Sequence, residues 1–359
     1  MLPFKLVYSD GYDLNLGNHI FPSVKFKLIR ERCLAEGVAE AEDFIEPQPA
    51  SDEDVLRVHT REWVEKLKKG RLAPWEVMRM EVPYSPQLVR AVWLSAGGST
   101  LAARRALADG CGFNLGGGFH HAYPDHGEGF CALNDVAVAI RALQAEGAIA
   151  TAMVVDLDVH HGNGTAAIFA GDPSVFTLSM HQESNYPHPK PPSDLDVGLD
   201  DFTGDGAYLR LLGEALEKAF ERFAKDSLKR AARGGSGVKN PEAGASGLGG
   251  RGSGSSSGKY DQPDLIFYLA GADPYVEDQL GGLAVSMDGL QERDRMVIEA
   301  ARSRGIPIAI TFAGGYAHRV GDTVRIHVNT IVCAREAYAE LKPRMNPSTS
   351  LGAGTDEDR

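Results

Sequence analysis

Val155-Asp156-Leu157-Asp158-Val159-His160-His161-Gly162-Asn163-Gly164 closes an apolar run that begins at Met153 and places a polar side chain at every second position. With a strand period of two, Asp156, Asp158 and His160 project to one side, and Val155, Leu157 and Val159 to the other. A parallel strand covered on both faces reads as continuous Val/Ile/Leu, and two carboxylates at its end cost several kcal/mol unless a cation compensates them. A metal ion is the natural compensator. The C-terminal end of such a strand is also where open α/β sheets hold their ligands.

Strand-like runs recur at Lys5–Tyr8, Gly112–Leu115, Thr151–Leu157, Ser174–Ser179, Leu265–Ala270 and Pro307–Phe312. Helical patterns cover Ser23–Glu36, Pro86–Ala108, Asn134–Glu146, Gly164–Ala170, Asp205–Lys229, Asp288–Arg304 and Asn329–Leu341, with Asn134 and Asp205 as candidate N-caps. Alternation of this kind predicts βαβ units: one α/β domain, residues 1–342, with a mostly parallel β-sheet and helices on both faces. Gly234–Gly258 contains GGSG, GASGLGG and RGSGSSSG, too little apolar surface to offset its ordering entropy, and reads as a flexible insertion. Residues 343–359 read as a disordered tail.

At 359 residues and 43% hydrophobic content the chain can bury a sizeable core. Its net charge of −12 argues against nucleic-acid or anionic-membrane partners, which need a basic face. No leader pattern and no long apolar span is evident, so a soluble, cytoplasmic protein is expected. Cys33, Cys111, Cys131 and Cys333 lack CxxC spacing and fit reduced thiols.

Four further clusters follow strand-like runs: Gly116-Gly117-Gly118-Phe119-His120-His121, Ser179-Met180-His181, Ala270-Gly271-Ala272-Asp273 and Ala313-Gly314-Gly315-Tyr316. Together with Gly127–Asp135 (GEGFCALND) and the opening motif, they resemble the histone deacetylase family of the arginase–deacetylase superfamily, from about Tyr8 to Leu341. Asn163, where most zinc-dependent classes have aspartate, and Asp278-Gln279-Leu280-Gly281-Gly282-Leu283 are similar to the class IV deacetylases.

This resemblance implies a zinc-dependent hydrolase acting on acyl-lysine proteins or peptides. Asp158, His160 and Asp273 would bind zinc, a set of two carboxylates and one imidazole that leaves a position open for substrate. His121 would be the general base toward the attacking water, it or His120 would protonate the departing amine, and Tyr316 would stabilise the oxyanion. Asp156 would orient His120 and Asn163 would orient His121. Potassium would sit beside the zinc on Asp156, Ser179, Met180 and the carbonyls of Asp158 and His160, with a second site around Phe169, Asp172 and Val175. Gly129, Phe130, Tyr186 and Leu280 would line an acyl-lysine tunnel. Class I members have an aspartate before a proline at the tunnel rim; Ser85 precedes Pro86 here. The alternatives are an acetylpolyamine amidohydrolase, favoured by the acidic balance, and, outside enzymes, a silent acyl-lysine-binding module. A binuclear manganese ureohydrolase needs Asp-x-His-x-Asp twice, whereas this chain has Asp-x-Asp-x-His once.

Overall fold

The computed structural model describes residues 1–226 and 261–339. The Gly/Ser-rich stretch 234–258, the tail 343–359 and the ends of two expected helices, at Lys229 and Leu341, lie outside them.

Eight strands form one sheet: β1 (Lys5–Val7), β2 (Phe44–Ile45), β3 (Cys111–Asn114), β4 (Ala152–Asp156), β5 (Val175–Gln182), β6 (Leu195–Leu199), β7 (Leu265–Leu269) and β8 (Ile308–Thr311). Their order is β2-β1-β3-β8-β7-β4-β5-β6, and every pairing is parallel. The chain is thus a single α/β domain, as its alternating pattern predicts. The central strands owe their position to uninterrupted apolar side chains: Leu-Ile-Phe-Tyr-Leu of β7 is buried throughout, as only a strand covered on both faces can be.

Four adjacent central strands, β3, β8, β7 and β4, are followed by the four clusters GGGFHH, AGGY, AGAD and DLDVHHGNG. Parallel pairing puts all four C-terminal ends on one edge, so segments from Gly116 to Tyr316 meet in space.

β2 and β6, the two edge strands, were not expected from the sequence, nor were the helices Asp52–Val55, Arg61–Lys69 and Pro74–Met80. The last helix begins at Val320, nine residues before the expected Asn329, and runs to Tyr338. Asn134 caps the helix Asp135–Ala145 by accepting from Ala137 N at 2.9 Å. Asp205 does not cap its own helix: Gly204 holds that place, and the Asp205 carboxylate instead accepts from Ser286 N and Oγ, both at 2.7 Å, tying two distant segments together. All four cysteines are buried free thiols. Among the described residues no helix is long and apolar enough to cross a membrane.

Candidate active site

β4 ends at Asp156, so Asp158 and His160 stand in the loop beyond it. Their placement is nonetheless strict. The Asp156 carboxylate accepts the Asp158 N–H at 3.2 Å, and the Asp158 carboxylate accepts the His160 N–H at 3.0 Å. Two successive turns closed by aspartate side chains therefore carry the strand's alternation past its last ladder bond. Asp273, after β7, is anchored by Val159 N donating to Oδ1 at 2.9 Å.

The ligand-capable atoms of Asp158, His160 and Asp273 lie within 4.8 Å of one another, and all three residues are buried. Asp158 Oδ2 accepts from Gly314 N at 2.7 Å, while Asp273 Oδ2, fully enclosed, has no hydrogen-bond partner among the described residues and faces His160 Nδ1 at 3.4 Å. Burial, then the adjacent Asp158 carboxylate, push the Asp273 carboxyl above the usual carboxylate range. Two crowded buried carboxylates with an orphaned oxygen are a donor set in want of a cation, and with one imidazole they suit zinc. Gly314 is required there: a Cβ would lie 1.8 Å from Asp273 Oδ2. In a second such group, His161 Nε2 lies 3.1 Å from Asp196 Oδ1 and His181 Nδ1 3.0 Å from Ser179 Oγ, while His161 Nδ1 is buried without a partner among the described residues.

His120 and His121 differ in their partners. His120 Nδ1 meets Asp156 Oδ2 at 2.7 Å, and against the burial penalty the Asp156 and Asp158 carboxylates raise its pKa to about 9. His121 Nδ1 meets the Asn163 carbonyl oxygen, Oδ1, at 2.6 Å; burial first, then neighbouring His120 and His160, hold it well below the usual histidine range. The two Nε2 atoms are 3.0 Å apart. The opposite shifts split the pair into one acid and one base.

Lys25 lies behind these groups, fully buried, donating from Nζ to the Ala313 carbonyl at 2.7 Å. Burial lowers its pKa to about 8, against the attraction of Asp273, Asp158 and Asp278.

A cavity of about 440 Å³ leads to the cluster, lined by His19, Glu81, His121, Gly129, Phe130, His160, Asn185, Tyr186, Leu280 and Tyr316. All four expected tunnel residues are thus brought together with His121, His160 and Tyr316. Phe130 stands edge-on to Tyr316, ring centroids 5.8 Å apart, and adopts φ +68°, a left-handed conformation that costs a non-glycine residue roughly 1–2 kcal/mol. The preceding Gly129, φ +52°, brings the backbone so close to His121 that a Cβ would meet its Cδ2 at 2.6 Å. Tyr316 is buried, and burial followed by the charges of Asp158 and Asp273 keeps its phenol protonated.

Ser85 is not at this mouth. It caps the helix Pro86–Asp109, accepting from Leu88 N at 3.0 Å, while the acidic residue lining the cavity is Glu81. Sequence reasoning also passed over His19, Asn185 and Glu128. Glu128 alone had a visible signal, an acid set between two glycines in the GEGF segment.

Asp156 and Ser179 are register partners on β4 and β5, and Met180 follows in the same strand. Farther out, the Asp172 carboxylate is committed to Arg141 and Ser174, with Arg141 Nη2 at 2.7 Å and Ser174 N at 2.8 Å.

A tandem-histidine pair, an Asp/His/Asp cluster and a tyrosine thus meet at the C-terminal edge of an eight-stranded parallel sheet. The histone deacetylase domain model matches residues 19–229 and 257–331, so the chain belongs to the histone deacetylase family. It is 30% identical over 351 residues to Histone deacetylase 2 of Arabidopsis thaliana, covering 94% of this chain and 80% of that protein. It is also 30% identical over 278 residues to the Histone deacetylase-like amidohydrolase of Pseudomonas aeruginosa, covering 75% and 65%. The crystal structure of an HDAC homolog from Aquifex aeolicus shares the fold at TM-score 0.69 and 21% identity, with 94% of this chain and 88% of that chain covered.

Proposed function

We propose that the protein is a zinc-dependent amidohydrolase that removes acyl groups from N-acyl-lysine side chains. The observation that carries this reading is the enclosed Asp158/His160/Asp273 cluster, with its orphaned Asp273 oxygen, at the inner end of a cavity walled by Phe130, Leu280 and Tyr186. An apolar passage of this kind suits the methylenes of a lysine stem.

Zinc, when bound, supplies Lewis acidity toward the amide carbonyl and makes water a better nucleophile. The chain's own residues do the rest. His121 takes the proton of the attacking water on Nε2, its other nitrogen being held by Asn163. Tyr316 donates its O–H to the carbonyl oxygen as that atom gains negative charge. His120, kept protonated by Asp156, supplies the proton that lets nitrogen leave as an amine. A C–O bond forms, the C–N bond breaks, and the products are a carboxylate and a free lysine. Potassium would be held by Asp156, Ser179, Met180 and the carbonyls of Asp158 and His160.

A second reading, deacylation of a polyamine, is favoured by one observation: Glu81 places a carboxylate at the mouth, where a cationic chain would pass. Zinc-loaded protein assayed in competition on acetyl-, octanoyl- and myristoyl-lysine peptides and on N-acetylputrescine separates the two. A higher kcat/KM on at least one peptide is expected. Preference for N-acetylputrescine would overturn the lysine assignment, and no turnover of any of them would overturn the hydrolase.

The Asn163 partner has a consequence for pH dependence. A carboxylate in its place would stabilise the His121 imidazolium and raise its pKa. The base must be neutral to act, so Asn163→Asp is expected to move the acidic limb of the kcat/KM profile upward. Zinc content is to be verified across the range; a limb that stays in place or moves downward would remove His121 as the base or Asn163 as its partner.

A further inference from the structure

Asn163 presents a difficulty for the site just described, because an amide is two-faced. Its oxygen toward His121 Nδ1 requires a hydrogen on that nitrogen and leaves Nε2 with the lone pair that takes a proton. Its NH2 group toward His121 would reverse both, put the hydrogen on Nε2 and disable the base. A carboxylate has no such alternative, so the Asn163 side chain must be oriented by something else.

We propose that Glu128 is the positioning residue that fixes the Asn163 amide and, through it, the tautomer of His121. Glu128 Oε1 accepts from Asn163 Nδ2 at 2.8 Å, on the far side of the amide from the 2.6 Å contact between Asn163 Oδ1 and His121. A carboxylate can only accept. A flipped amide would set its oxygen against the Glu128 oxygen while the NH2 faced His121, so Glu128 selects one orientation. The carboxylate is itself held: Tyr186 donates its O–H to the same Oε1 at 2.7 Å, and His126 Nε2 lies 3.5 Å from Oε2. Asn163 is buried and Glu128 mostly so, which leaves little room for water to compete for the bond.

The chain Glu128–Asn163–His121 thus links an anion to the base through one intervening amide. The consequence is orientation without full charge: His121 keeps Nδ1–H and an unprotonated Nε2, yet has no carboxylate to turn it into a standing imidazolium. Tyr186 ties this relay to the cavity wall, since it both lines the passage and closes on Glu128.

The inference takes its catalytic meaning from the amidohydrolase reading, but its core, a tautomer set from outside, can be read without turnover. Glu128→Gln is isosteric and replaces an obligate acceptor with a side chain able to donate. Nitrogen-15 NMR of histidine-labelled protein, zinc-loaded and chelator-stripped, is expected to show His121 as the Nδ1–H tautomer in wild type and as a mixture, or as Nε2–H, in the variant. On an acyl-lysine peptide the same change should lower kcat roughly ten- to a hundredfold with little change in KM. In an Asn163→Asp background, where no amide needs orienting and two carboxylates would face each other, Glu128→Gln should cost under about threefold or raise activity. A purely structural role would cost the same in both backgrounds. An unaltered His121 tautomer with unaltered kcat in Glu128→Gln would overturn the proposal. Failure of wild type to hydrolyse any amide, with the tautomer still dependent on Glu128, would overturn the amidohydrolase reading and leave the positioning role standing.

Discussion

Tyr316→Phe is expected to lower kcat by roughly 10²–10³-fold, the usual cost of deleting one donor that meets a developing oxyanion. The hydroxyl should matter far more to the transition state than to substrate binding, because a carbonyl oxygen accepts a stronger hydrogen bond as it becomes charged. KM should change little. The phenylalanine ring keeps the edge-on contact with Phe130, so fold and zinc content should be preserved. The proton is available when needed, since burial and the facing Asp158 and Asp273 hold the phenol pKa far above the working range. Steady-state kinetics with metal analysis of the same sample tests this, and near-normal kcat would remove Tyr316 from the chemistry.

Asp273→Ala is expected to abolish tight zinc binding. Its carboxylate is the one whose second oxygen finds no partner among the described residues, whereas Asp158 Oδ2 is already satisfied in part by Gly314 N. Removing it leaves one carboxylate and one imidazole, too few donors for a tetrahedral catalytic site. It also leaves the Val159 N–H without its acceptor, so a loss of thermal stability should accompany the loss of metal. Metal analysis after dialysis measures the effect, and retention of one equivalent of zinc by the variant would place Asp273 outside the ligand set.

The centre of this molecule was legible in its sequence for a definite reason. β4 and β7 are buried on both faces, so their runs are apolar without interruption, and polar residues at their ends stand out against that background. Parallel pairing then brings those ends together without further information. The edges are different. β6, Leu195-Asp196-Val197-Gly198-Leu199, is only five residues long and carries an aspartate and a glycine, both depleted in strands; β2 is two residues long and runs into Glu46-Pro47. Neither pattern separates from a loop. The last helix starts at Val320 rather than Asn329: Gly321-Asp322-Thr323 has a turn-like composition, yet Thr323 and Val324 are buried and packing overrides the local preference.

Within the site, residues belonging to contiguous motifs could be named in advance, while those brought in by tertiary structure could not. Glu81 and His19 reach the cavity from segments with no chemical signature, and Ser85 was read as a rim position although its hydroxyl serves a helix N-terminus. The Glu128 carboxylate lies within a recognisable segment, but its bond to Asn163 spans 35 positions and no spacing rule discloses it.

The central claim is that one zinc ion on Asp158, His160 and Asp273 makes this protein an amide hydrolase. The most direct measurement is hydrolysis of acyl-lysine peptides by chelator-stripped protein titrated with zinc. Negligible turnover is expected in the stripped protein, with a linear rise that breaks at one equivalent of zinc and is absent in Asp273→Ala. Full turnover without metal, or a rise that Asp273→Ala shares, would contradict the claim.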